Sequence, residues 1–136
     1  MPLDRYHQAV KDALIADGWD VVDPYPIQFA RRRVRADLGA ERPILGAARD
    51  RERIVVEVKD FLNPSAIEYL QHALGQYLIY KSWLARTEPE RTLYLAVSEL
   101  AADRVFGQPD AQVLIEDYGL RLLVVDVKLR RIVRWM

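Results

Sequence analysis

The chain has no cysteine, no net charge and no long apolar run. Without cysteine there is no disulfide, no thiolate metal site and no cysteine nucleophile. Lys+Arg and Asp+Glu balance at 20 each, so no global field announces a nucleic-acid partner, and any such contact must come from a local patch. No apolar stretch approaches the roughly 18 residues of a membrane span, and Met1-Pro2-Leu3-Asp4-Arg5 does not open a signal peptide. A cytoplasmic protein with no membrane partner is the expectation. Internal repeats and low-complexity segments are absent as well. What is present is an ordinary globular composition, 51% hydrophobic and 29% charged, in 136 residues. That length suits one domain over residues 1–136 with a proper core.

Periodicity divides the chain into elements. Tyr6, Ala9, Val10, Ala13, Leu14 and Ala16 fall at helical spacing before a Gly18 stop. Residues 19–25 read as a short strand closed by Asp23-Pro24-Tyr25-Pro26, and residues 27–38 as a second strand. Gly39 to Asp50 reads as a loop, with the third strand over residues 52–59. Asn63-Pro64-Ser65 then opens a helix running to about Leu84, with Ser65 and Glu68 spaced as a capping box. Its apolar residues occupy most of the circumference, which predicts a largely buried helix. A strand over 92–97, helices over 99–106 and 110–118, and strands over 120–127 and 129–135 complete the order. The fold class is α/β (α+β), a central mixed sheet flanked by helices.

The third strand carries the chemistry. In Ile54-Val55-Val56-Glu57-Val58-Lys59, alternation sends Ile54, Val56 and Val58 to one face and Glu57 and Lys59 to the other. A carboxylate and an ammonium thus emerge side by side from the most hydrophobic strand. Burying them costs several kcal/mol unless they are paired or hold a metal.

That strand, with Asp37 ending the strand before it, resembles the PD-(D/E)xK nuclease superfamily and its restriction-endonuclease-like core. The motif here is Ala36-Asp37, nineteen residues, then Glu57-Val58-Lys59. Gln76-Tyr77-Leu78-Ile79-Tyr80 on the following helix is similar to the Gln-x-x-x-Tyr motif of RecB-type nucleases. A closer resemblance, over nearly the whole chain, is to the XisH family. It rests on His7–Leu14, Asp17-Gly18-Trp19, Asp37–Glu41, Glu57-Val58-Lys59, Ala73–Tyr77 and Leu93–Val97. Proteins of that family are named as controlling factors for excision of the fdxN DNA element in cyanobacteria, acting with a partner, XisI.

The resemblance implies a candidate endodeoxyribonuclease acting on DNA with a XisI-like protein. Asp37 and Glu57 would bind Mg²⁺ (or Mn²⁺) with the carbonyl of Val58, two carboxylates sufficing for an ion that keeps several waters. Lys59 would orient or deprotonate the attacking water, and Gln76 and Tyr80, one turn apart, would steady that strand or touch a phosphate. His7 stands where the superfamily often has an acidic residue on its first helix, eleven positions before Gly18, which makes it a candidate phosphate or metal contact. By alternation along one strand, Arg31, Arg33 and Arg35 share the face of Asp37 and form a cationic approach for nucleic acid.

Each assignment has a plainer alternative: a turn residue at Asp37, a solvated Glu57–Lys59 pair, core-edge groups at Gln76 and Tyr80, a structural His7, and an edge-protecting arginine strand. Ala36 stands in place of the motif's proline. The competing function is a non-catalytic regulatory protein that keeps the nuclease fold and binds a partner or DNA without cutting. The apolar C-terminal segment, residues 120–135, would supply a partner or homodimer strand.

Overall fold

The computed structural model describes residues 2–46, 50–61 and 65–136. In chain order it forms α1 (Pro2–Ala16), β1 (Asp20–Val22), β2 (Tyr25–Phe29), β3 (Arg32–Ala36), β4 (Leu38–Pro43), β5 (Arg51–Val58) and α2 (Ala66–Thr87). There follow β6 (Arg91–Ser98), α3 (Glu99–Arg104), α4 (Pro109–Tyr118), β7 (Leu122–Asp126) and β8 (Arg131–Trp135). Six strands make a mixed sheet in the order β1-β4-β5-β6-β7-β8, and β2 with β3 forms a separate two-stranded sheet. β5 and β6 are parallel, as are β6 and β7. α2 and the α3–α4 pair are the connections those parallel strands require. No described helix is long and apolar enough to cross a membrane.

The sheet has a core on each face. Ile54, Val56 and Val58 of β5 pack with Val10, Ala13 and Leu14 of α1 and with Trp19. Val55, on the opposite side of the same strand, packs with Tyr77 and Leu84 of α2, Leu95 of β6 and Leu122 of β7. This is the alternation read from the sequence, now with a helix on either side. Fully burying each such aliphatic side chain contributes about 1.5–3 kcal/mol, so β5 is held firmly in register. Its last turn of pleat can therefore carry charge without losing its place.

Local signals account for several boundaries. Gly18 follows α1 at φ +90°, a conformation that glycine adopts without strain. The hydroxyl of Ser98 accepts from the N–H of Ala101 at 3.2 Å, which caps α3. Gly119 ends α4 in the left-handed region.

Three expectations are corrected. The single strand expected over residues 27–38 is a hairpin, broken at Ala30 and Arg31, with Ala30 at φ +54°. The loop expected over 39–50 contains β4, which pairs with β1 and β5. Its apolar run is short, but its charges are met across the ladder, Glu41 by Arg51 at 3.0 Å and Arg42 by Glu52 at 3.2 Å. Tertiary pairing overrode a weak local pattern. Lastly, α2 is half-buried: Leu70, Ala73, Tyr77, Tyr80 and Leu84 face the core, while Ile67 and Ile79 are exposed. Ser65 is its N-cap without the expected side-chain cap, and Asn63 and Pro64 lie outside the described residues.

Candidate functional site

Asp37 occupies the one-residue step between β3 and β4, where the chain leaves the small sheet for the large one. Leu38 pairs with Val56, so that step lies against the end of β5. Two hydrogen bonds lock it there. The N–H of Asp37 donates to Glu57 Oε1 at 2.7 Å, and the N–H of Val58 donates to Asp37 Oδ2 at 2.7 Å. The two carboxylates, twenty positions apart in sequence, are therefore brought together, Glu57 accepting from the N–H of Asp37 and Asp37 from that of Val58.

Glu57 is 4% exposed. Burial is the main influence on its carboxyl and the neighbouring charge of Asp37 adds to it, so its pKa is pushed up to about 7. The Asp37 N–H and the Lys59 ammonium oppose that rise without cancelling it. Lys59 Nζ stands 4.0 Å from Glu57 Oε2, at the outer limit of an ion pair. The Lys59 side chain is 20% exposed and so reaches solvent from the pair's rim. Its backbone N–H is anchored on the carbonyl of Ala96 at 3.0 Å, which ties the motif to the neighbouring parallel strand.

α2 carries the Gln76–Tyr80 pair. The hydroxyl of Tyr80 accepts from Gln76 Nε2 at 3.2 Å. Burial raises the Tyr80 pKa first, and the charges of Glu57 and Asp37 raise it further. Tyr69 belongs to the same group. Burial raises its pKa first, the Asp60 charge adds to it, and that of Asp37 contributes less. Sequence reading missed Tyr69 and Asp60. The signal was there: Asp60 follows Lys59, and Tyr69, Gln76 and Tyr80 are spaced i, i+7, i+11 on one helix stripe.

The other expected residues have different partners or none of the site's hydrogen bonds. His7 Nε2 is 2.9 Å from Asp23 Oδ2, which also pairs with Lys11 at 3.2 Å. Arg31 sits in the β2–β3 turn, and Arg33 and Arg35 are exposed on the outer face of the hairpin. Because β3 stops before Asp37, the alternation expected to align these arginines with Asp37 does not run through. The hairpin is pinned to α2 by Phe29 stacking on Trp83 at 6.2 Å. Its arginines enter no ion pair among the described residues.

No cluster of three His, Cys, Asp or Glu ligands occurs among the described residues. The site offers two carboxylates, each with one oxygen engaged by a backbone N–H, and carboxylate oxygen suits a hard cation that retains water better than zinc. A divalent ion would also offset the burial and the Asp37 charge that together raise Glu57.

The family model described as XisH protein matches residues 1–133. A crystal structure of an XisH family protein from Nostoc punctiforme PCC 73102 is 37% identical, with a TM-score of 0.87 over 98% of this chain and 99% of that one. A crystal structure of a fdxN element excision controlling factor protein from Anabaena variabilis is 36% identical. Its TM-score is 0.86 over 97% of this chain and 98% of that one. Among curated proteins no match is found.

Proposed function

The chain belongs to the XisH family, and on that footing we propose that it is a metal-dependent endodeoxyribonuclease of the PD-(D/E)xK type that controls excision of a DNA element. The observation that carries this reading is the reciprocal Asp37–Glu57 pair. It joins a buried carboxyl to a half-buried one, with a lysine at its rim. Stability alone gives no reason to assemble it.

Asp37, Glu57 and the Val58 carbonyl would hold Mg²⁺ or Mn²⁺. The ion would supply charge neutralisation at a phosphate and Lewis acidity towards water. The protein's own groups do the positioning. Lys59, fixed through its backbone to Ala96, would hold a phosphoryl oxygen or the attacking water in line. Tyr80, its pKa raised, stays neutral at physiological pH and offers a fixed O–H donor. Preorganised groups of this kind carry most of the catalysis in phosphodiester hydrolysis. Arg31, Arg33 and Arg35 on the hairpin would bind the DNA backbone, with His7 a further contact, and a XisI-like protein would act alongside. The apolar C-terminal strand β8, at one edge of the sheet, would pair two copies; a monomer by light scattering at micromolar concentration removes that homodimer.

A second reading has a specific observation in its favour. Each carboxylate already accepts a backbone N–H from the other's strand, so the pair could serve only as a clasp in a non-catalytic protein that binds a partner or DNA. Calorimetric titration of Mn²⁺ and Mg²⁺ into wild type and Asp37→Asn/Glu57→Gln separates the two, followed by incubation with plasmid and branched DNA. Metal binding and cleavage lost together in the variant support the nuclease. Absence of metal binding in wild type establishes the clasp.

A further inference from the structure

A second site lies at the opposite end of β5 and β6 from Glu57. Between the C-terminal half of α2 and the starts of β6 and β7 is an open cleft of about 220 Å³, with Tyr77, Lys81, Arg91, Thr92, Leu93 and Arg121 in its wall. Three of its nine lining residues are cations and none is an acid, in a chain whose charges balance. The volume is below the roughly 300–1,000 Å³ of pockets that enclose a drug-sized ligand. The occupant is therefore a small group.

The cations differ in how far they are committed. Arg91 is spent: it donates to the carbonyl of Ile54 at 3.0 Å, pairs with Glu88 at 3.2 Å and Glu41 at 3.6 Å, and lies over the Tyr25 ring. It walls the cleft rigidly, with its charge already met by the two carboxylates. Lys81 donates once, to the carbonyl of Tyr118 at 2.9 Å, and keeps two N–H donors. Gly119 leaves room for it, since a Cβ there would come within 3.1 Å of Lys81 Nζ. Arg121 is exposed and enters no ion pair among the described residues. Its backbone is nonetheless fixed, because its N–H donates to the Tyr77 hydroxyl at 3.2 Å. Buried Tyr77 in turn donates to the carbonyl of Leu93 at 3.0 Å.

We propose that this cleft binds a phosphate group, held by Lys81 and the fork of Arg121 with Thr92 beside them. The proposal does not depend on the nuclease reading. The phosphate can be free or the 5′-phosphate ending a nucleic-acid strand, since both present the same oxyanion.

The test is an amide-resolved NMR titration at constant ionic strength, chloride serving as the compensating anion. Inorganic phosphate, a 5′-phosphorylated thymidine dinucleotide and its unphosphorylated counterpart are added separately. Saturable shifts at Thr92, Leu93 and Arg121 are expected, with affinity at least about tenfold weaker in Lys81→Gln/Arg121→Gln. Both substitutions replace exposed side chains, and the variant's spectrum shows directly that it is folded. Tighter binding of the phosphorylated dinucleotide than of inorganic phosphate identifies a strand end as the source; the reverse identifies free phosphate. Three results overturn the proposal: no saturation, equal affinity in the variant, or equal response to the unphosphorylated dinucleotide.

Discussion

At the residue scale, Glu57 makes the fold sensitive to pH in an unusual direction. Its folded pKa of about 7 stands above the ordinary 4.5. Between those values the native state binds the proton and the unfolded state does not, so stability falls as pH rises through the window. The full effect is about 3 kcal/mol. Urea unfolding at pH 5 and pH 8 should show that loss in wild type and its absence in Glu57→Gln, which keeps an acceptor for the Asp37 N–H. Parallel pH profiles would remove Glu57 as the cause. Adding Mn²⁺ should restore stability to wild type at pH 8 and do nothing for the variant, if the carboxylates hold the ion. Gly39 is a second sensitive point. Its α-carbon faces the Tyr25 ring so closely that any Cβ would collide with it. Gly39→Ala should cost about 1–3 kcal/mol, read as a lowered denaturation midpoint; an unchanged midpoint would mean that the ring has room to move.

Elements matter through what joins them. Tyr77 ties α2 to β6 and to the segment entering β7 through hydrogen bonds to Leu93, Gly119 and Arg121. Tyr77→Phe keeps the ring and strands those backbone groups, so a loss of about 1–3 kcal/mol is expected in chemical denaturation. The β2–β3 hairpin joins the α2-side core through Ile27 and Ala36, which are fully buried. It belongs to its own sheet and rests on α2, and its arginines face outward. If it grips DNA, Arg33→Glu/Arg35→Glu should weaken binding at every sequence and reduce the slope of log affinity against log salt by about 2. Its thermal unfolding should stay near that of wild type. An unchanged slope would take the hairpin off the DNA path.

For the whole molecule, both cores share one sheet. Val55 faces one cluster while Ile54 and Val56 face the other, so neither layer can melt without exposing the other's floor. A single unfolding transition, coincident by near-UV and far-UV circular dichroism, is expected. Two separated transitions would show that the α1 layer and the α2 layer are independent. The balanced charge, with a sequence pI of about 6.7, also predicts minimal solubility near that pH.

The sequence by itself determined the helices, the buried alternating β5 and the pairing of chemistry in Glu57-Val58-Lys59. Those are local facts, set by periods of 3.6 and 2 and by caps such as Ser98. It did not determine that residues 27–38 fold back on themselves or that Leu38–Pro43 is a strand. The turn at Ala30 carries no glycine or proline, and the β4 ladder is stabilised by partners distant in sequence. The same limit governs the site. Asp37 and Glu57 were legible as candidates, but their mutual backbone clasp exists only once β4 pairs with β5. Tyr69 and Asp60 join them only in the folded chain, where the charges of Asp60 and Asp37 both act on the Tyr69 phenol. The helix stripe is legible locally, but which strand end it meets depends on tertiary packing.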